Sequence, residues 1–112
     1  MQSIHFLDKN QPEVGGEATT CRKGLKWYNQ VNVDDEVNLV LDGAEIPNHI
    51  IGRAVVTRLW FGWFRQVPAI FLEIAANPVS RTYSGMFERM KVAYDGFKDT
   101  DLVTVIQYRR TE

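Results

Sequence analysis

The sequence predicts an α+β fold, and three observations carry that reading. Glu36-Val37-Asn38-Leu39-Val40-Leu41 alternates polar and apolar residues and ends on an Asp42-Gly43 turn signal, the pattern of a half-buried strand. Gly52 to Phe64 is dense in β-branched and aromatic residues, and Asp101 to Tyr108, Asp-Leu-Val-Thr-Val-Ile-Gln-Tyr, repeats that character near the other end. Between them, apolar residues recur every three or four positions, the period of a helix face. Strands far apart in the chain must therefore pair in one sheet, with about two short helices packed against it.

Taken in order, Asn10 to Ala18 holds a proline and the Gly15-Gly16 pair and reads as a surface loop. Thr19-Thr20-Cys21-Arg22 then reads as a short β segment. The strand Glu36–Leu41 follows, and a strand from Gly52 is expected to run through about Trp60. Val67, Ile70, Phe71, Ile74 and Ala75 share one face of a helix that starts near Pro68 and is stopped by Asn77-Pro78. Met86, Met90, Ala93, Tyr94 and Phe97 share a face of a second, with Ser84 as its expected N-cap and Asp95-Gly96 as its terminator. With 112 residues, 45% of them hydrophobic and 24% charged, the chain is expected to form one domain spanning residues 1–112 that buries about two-thirds of its unfolded surface. No repeat or low-complexity linker divides it.

Several chemistries find no support. There is no GxGxxG or GxxxxGK[ST] string to cradle phosphates, so no nucleotide cofactor is expected. The single cysteine, Cys21, leaves no pair for a disulfide or a zinc ribbon, and His5 and His49 are isolated in sequence and read as surface residues, so no metal site is expected. No GxSxG elbow is present, and Asp34-Asp35-Glu36 reads as a turn between strands. The formal charge of −1 neither draws the chain onto polyanions nor excludes them. The most hydrophobic stretch, Ala54 to Leu72, is broken by Arg58, Gly62, Arg65, Gln66 and Pro68, which excludes a membrane helix. The first nine residues lack a cationic leader and an apolar run, and with a lone cysteine they point to the cytoplasm.

The residues with most chemical content lie between Gly15 and Tyr28. Gly15-Gly16-Glu17-Ala18-Thr19-Thr20-Cys21-Arg22, followed by Val31 to Val37 and, much later, by Val103 to Tyr108, resembles the ASCH family over about Gly15 to Arg109. Members of that family are small β-barrel domains related to the RNA-binding PUA fold, in which a G-x-K-x-x-E-x-R loop leads into a strand. Gly15 and Arg22 fall at the family's Gly and Arg, whereas Glu17 stands at the Lys position and Thr20 at the Glu position. The resemblance implies a PUA-like mixed barrel that binds RNA or a modified nucleoside in a polar cleft near residues 15–22, with Arg22 lining it. It also brings in a branch of small amidohydrolases acting on acylated cytidine through a Lys, a Thr and a Glu. On that reading Thr20 matches the threonine, Glu88 falls near the glutamate, Glu17 stands at the lysine's position, and Glu17 or Glu88 serves as proton acceptor. A threonine hydroxyl needs such a base before it attacks a carbonyl.

The residues themselves leave alternatives open. Thr20 alone reads as a strand threonine, Glu88 as a solvent-facing helical residue pairing with Lys91 or Lys98, and Arg22 as a partner of Glu17. Lys23, Lys26 and Trp27, with Tyr28, interleave cations and aromatic rings as single-stranded nucleic acid requires. They fit equally well as solvated lysines flanking rings packed on the barrel. In Leu59-Trp60-Phe61-Gly62-Trp63-Phe64, consecutive residues face opposite ways, so something must cover the second face. The two helices are the expected cover; a homodimer contact or another docked partner through residues 59–64, or stacking platforms lining a pocket, are the functional alternatives.

Overall fold

The computed structural model describes residues 1–7, 9–43 and 49–112. Five strands, β1 (Gln2–Phe6), β2 (Glu17–Lys23), β3 (Glu36–Leu41), β4 (His49–Trp63) and β5 (Leu102–Arg110), form one sheet in the order β1-β3-β4-β5-β2. β1 runs parallel to β3 and every other pairing is antiparallel. The sheet is curled into a half-barrel, as the α+β reading required. Its inner face gathers Ile4 and Phe6 from β1, Ala18 from β2, Leu39 from β3 and Tyr108 from β5 into one cluster. The outer face is covered by α2 (Ala69–Glu73) and α3 (Tyr83–Ala93), whose Phe71, Leu72, Met86 and Met90 pack on Cys21, Val103 and Val105.

Four elements differ from the sequence expectation, each for a local reason. β1 was not anticipated. Its alternation, with Ile4 and Phe6 buried, is only five residues long, and its partner β3 begins some 30 residues later. A helix α1 (Lys26–Gln30) follows β2, so the described residues hold three α-helices and not two. It lacks an apolar stripe because Trp27 alone packs on the inner cluster while Tyr28 rests against Phe61 at 4.5 Å. The N-cap of α3 is Thr82, not Ser84: the Thr82 hydroxyl accepts from the Gly85 N–H at 3.1 Å.

The fourth difference is that β4 runs on to Trp63 and changes face on the way. Its register against β5 shifts between Val56 and Arg58, an inserted residue that reverses the alternation. Ala54 and Val56 point inward before the shift; after it Leu59 points inward, and Trp60 and Phe64 point to the helices. The helices therefore cover one face of the aromatic run, as expected, and leave Phe61 and Trp63 about half exposed. Among the described residues no helix is long and apolar enough to cross a membrane.

Candidate functional site

β1 and β2 are the two edges of the sheet, and the curl brings them toward each other without hydrogen bonds between them. At this seam lies a hollow of about 130 Å³. His5 and Phe6 line it from β1, Thr20 and Arg22 from β2, and Met86, Arg89, Met90 and Tyr94 from α3 and its end. Pockets that enclose whole drug-sized ligands run to roughly 300–1000 Å³, so this one suits a single ring or a phosphate of a larger ligand.

Arg22 dominates its electrostatics. The Arg22 Nε–H donates to Thr20 Oγ1 at 3.2 Å, and the guanidinium carbon stands 5.1 Å above the centre of the Phe6 ring. Thr20 and Arg22 are two apart on β2, so both side chains leave the same face and the hydroxyl props the guanidinium. Among the described residues no acceptor meets the remaining guanidinium N–H groups. Burial lowers the pKa of Arg22 below its ordinary value, with Tyr94, Tyr108, Cys21 and Asp42 pulling weakly the other way. Guanidinium keeps its proton throughout. The direction of the shift marks a part-buried cation whose desolvation outweighs the groups that favour its charge.

His5 adds a second polar group at the mouth. Its Nδ1 lies 2.7 Å from Asp42 Oδ1, both side chains being partly exposed, which fixes the imidazole orientation. The β1–β3 register, with Phe6 opposite Leu41, makes this contact between residues 37 apart. No carboxylate is among the described residues that line the hollow. The rest of its lining sets the apolar and aromatic Phe6, Met86, Met90 and Tyr94 beside the polar Asn77, Ser80 and Arg89. Cys21 also borders it, but burial pushes that thiol up to about 12 and leaves it unreactive as a nucleophile at neutral pH.

The structure brings together only part of the residue set the sequence singled out. Thr20 and Arg22 share the seam hollow. Glu17 does not: three positions before Thr20 it leaves the opposite face of β2, and it lines a separate depression with Gln11, Glu73 and Arg81. The same alternation rules out the Glu17 partner suggested for Arg22. Glu88 sits on the solvent side of α3, where it pairs with Lys91 at 3.0 Å. Thr20 thus has neither of these carboxylates beside it. Gly15 takes φ +91°, a left-handed turn that glycine favours, and its N–H donates to the Arg110 carbonyl at 2.7 Å. Lys23 ends β2 and Lys26 opens α1, both exposed, while Trp27 packs on the inner cluster. The residues that sequence reasoning missed are His5, Phe6, Arg89 and Tyr94. The curl that gathers them leaves no mark in any local stretch of sequence.

This arrangement of a curled sheet, helices on one side and a seam hollow has counterparts among solved structures. An ASCH domain from Lactobacillus crispatus JV V101 superposes with a TM-score of 0.64 at 12% identity, over 87% of this chain and 65% of that one. The fold is that of an ASCH domain. A protein from Enterococcus faecalis V583 assigned to DUF984 superposes with a TM-score of 0.55 at 11% identity, covering 83% of this chain and 60% of that one. This chain thus spans less than two-thirds of either structure's length. No family model and no curated protein matches it by sequence. The ASCH-like, PUA-like architecture expected from the Gly15-to-Arg22 pattern is therefore present in the backbone.

Proposed function

We propose that this chain binds RNA through the seam hollow, which takes the base or the phosphate of one nucleotide and meets it with Arg22. One observation carries the reading: a desolvated guanidinium stands over an aromatic ring, in a hollow whose described lining holds no carboxylate, with its terminal N–H groups unmet among the described residues. Drawing a cation out of water without a full partner is costly, so a ligand that supplies acceptors recovers that cost on binding. Guanidinium forks match phosphate and base edges with two parallel hydrogen bonds. The apolar walls from Phe6, Met86, Met90 and Tyr94 suit the face of a base, which single-stranded RNA can present unstacked. The ASCH-like fold and the sequence resemblance support the same reading. In it, residues 1–112 act as one binding domain in the reducing setting that unpaired Cys21 fits.

Fluorescence anisotropy with a labelled, unstructured ten-nucleotide RNA tests this, with uridine monophosphate as a competitor. Affinity for the decamer should fall with salt by about 0.7 log unit per log unit for each phosphate contacted. The monophosphate should displace the decamer if the hollow takes the base or the phosphate of one nucleotide. A decamer that does not bind in low salt would contradict the proposal.

A further inference from the structure

We infer that Phe61 and Trp63 form a second contact for the same strand, a platform on which two successive unpaired bases stack. This rests on the RNA reading of the seam hollow. The two rings leave one face of β4, two residues apart, and are 48% and 44% exposed. Such positions are spaced by about 6.6 Å along a strand. Bases in a duplex rise by about 3.4 Å per step, so the platform fits splayed bases, one to a ring, and not a stacked helix. Tyr28 steadies Phe61 at 4.5 Å, and the Arg65 guanidinium stands 4.9 Å from the Trp63 ring centre, leaving the rings anchored and half open.

Charge selects the occupant. Exposed Lys26 opens α1, the helix whose Tyr28 rests on Phe61, and Arg65 is on Trp63 itself. Gly24, just before that helix, donates to the carbonyl of Leu102, the residue opposite Trp63. Two acidic residues among those described lie beside them: Asp99, whose backbone carbonyl accepts from the Arg65 N–H at 2.9 Å, and Asp101, whose carboxylate accepts from the Lys98 N–H at 2.8 Å. A polyanion gains from these cations. A second copy docked here about a two-fold axis would set the patch against itself and oppose like charges. The platform also neighbours the hollow: Arg22, Thr104 and Phe61 form one cross-strand row, with Arg22 and Phe61 on strands either side of β5 and the buried Thr104 between them covered by Gly24, whose carbonyl accepts from its hydroxyl at 2.8 Å. Their backbones are thus about 10 Å apart on one face, within reach of a single strand that also enters the hollow.

The test compares wild type, Trp63→Leu, Trp63→Phe and Arg22→Met for binding of the unstructured decamer, a duplex of the same length and uridine monophosphate. Trp63→Leu keeps an apolar side chain and removes the stacking face. It should weaken the decamer about tenfold, at the lower end of what one stacked base contributes, and leave the monophosphate unchanged. Trp63→Phe should stay within about twofold of wild type, and the duplex should bind more weakly than the decamer. Arg22→Met should weaken decamer and monophosphate alike; loss in Trp63→Leu with none in Arg22→Met would keep the platform and overturn the hollow. Decamer affinity unchanged in Trp63→Leu overturns the platform. So does sedimentation showing a dimer that this substitution dissociates.

Discussion

Replacing Arg22 by methionine separates a binding arginine from a structural one, because the two roles predict opposite patterns. The substitution removes the Nε–Thr20 hydrogen bond, about 1 kcal/mol, and the contact over Phe6, about 0.5–2 kcal/mol, part of which the methionine side chain restores against the ring. Against these losses it releases a guanidinium whose lowered pKa marks an unfavourable desolvation. The folded state should therefore change by no more than about 1 kcal/mol, a Tm shift of roughly 5 °C or less. Binding should behave differently. Two charge-assisted hydrogen bonds to a ligand, at about 1.5 kcal/mol each, amount to about 3 kcal/mol, or roughly 150-fold in affinity for RNA. Loss of one phosphate contact should also reduce the salt slope by about 0.7. Anisotropy at several salt concentrations and a thermal melt read both quantities on one preparation. A variant that binds within twofold of wild type with an unchanged slope, yet melts more than about 10 °C lower, would refute the reasoning and make Arg22 a structural residue.

Other expectations follow from the same geometry. The Cys21 thiol, pushed up from 9.0 to about 12 by burial, should resist alkylation at pH 8 in the native protein and react on unfolding. Because the folded state holds that proton more tightly, its contribution to stability is complete below about pH 9 and is lost as pH rises toward about 12, on the order of 4 kcal/mol in all, which denaturant melts of wild type and Cys21→Ala across that range would compare. Phe64 is fully buried among Tyr83, Phe87 and Phe97, so Phe64→Ala should cost about 3–5 kcal/mol in urea unfolding. Thr82→Ala should cost about 1 kcal/mol as a lost helix cap, while Ser84→Ala should be near neutral; equal effects in the same melts would contradict the Thr82 cap.

How far the sequence could be read depends on how local each signal is. β3, the helical stretches after Pro68 and near Met86, and β5 carry their own periodicity, and the structure has an element at each. β1 and α1 do not. The first is a short edge strand defined by a parallel partner, and the second is held by one tryptophan instead of a stripe. The face reversal in β4 depends on one extra residue near Thr57, which nothing in the composition of that run announces. The site divides in the same way. Thr20 and Arg22 are two apart, so strand alternation alone puts them on one face. Glu17 and Thr20 are three apart, and matching a linear motif position by position does not register that this spacing crosses the sheet. His5 looked isolated because its partner Asp42 is 37 residues away, across the register of two parallel strands.

The most direct test of a ligand at the seam is a titration of isotopically labelled protein with the unstructured RNA decamer, followed by NMR. The largest shifts should fall on the Arg22 Nε–Hε signal and on the amides of His5, Phe6, Met90 and Tyr94, which border the hollow, with little change at Glu73 and Arg81 beside the neighbouring depression. Shifts centred on Glu73 and Arg81, with the Arg22 side chain silent, would contradict the account.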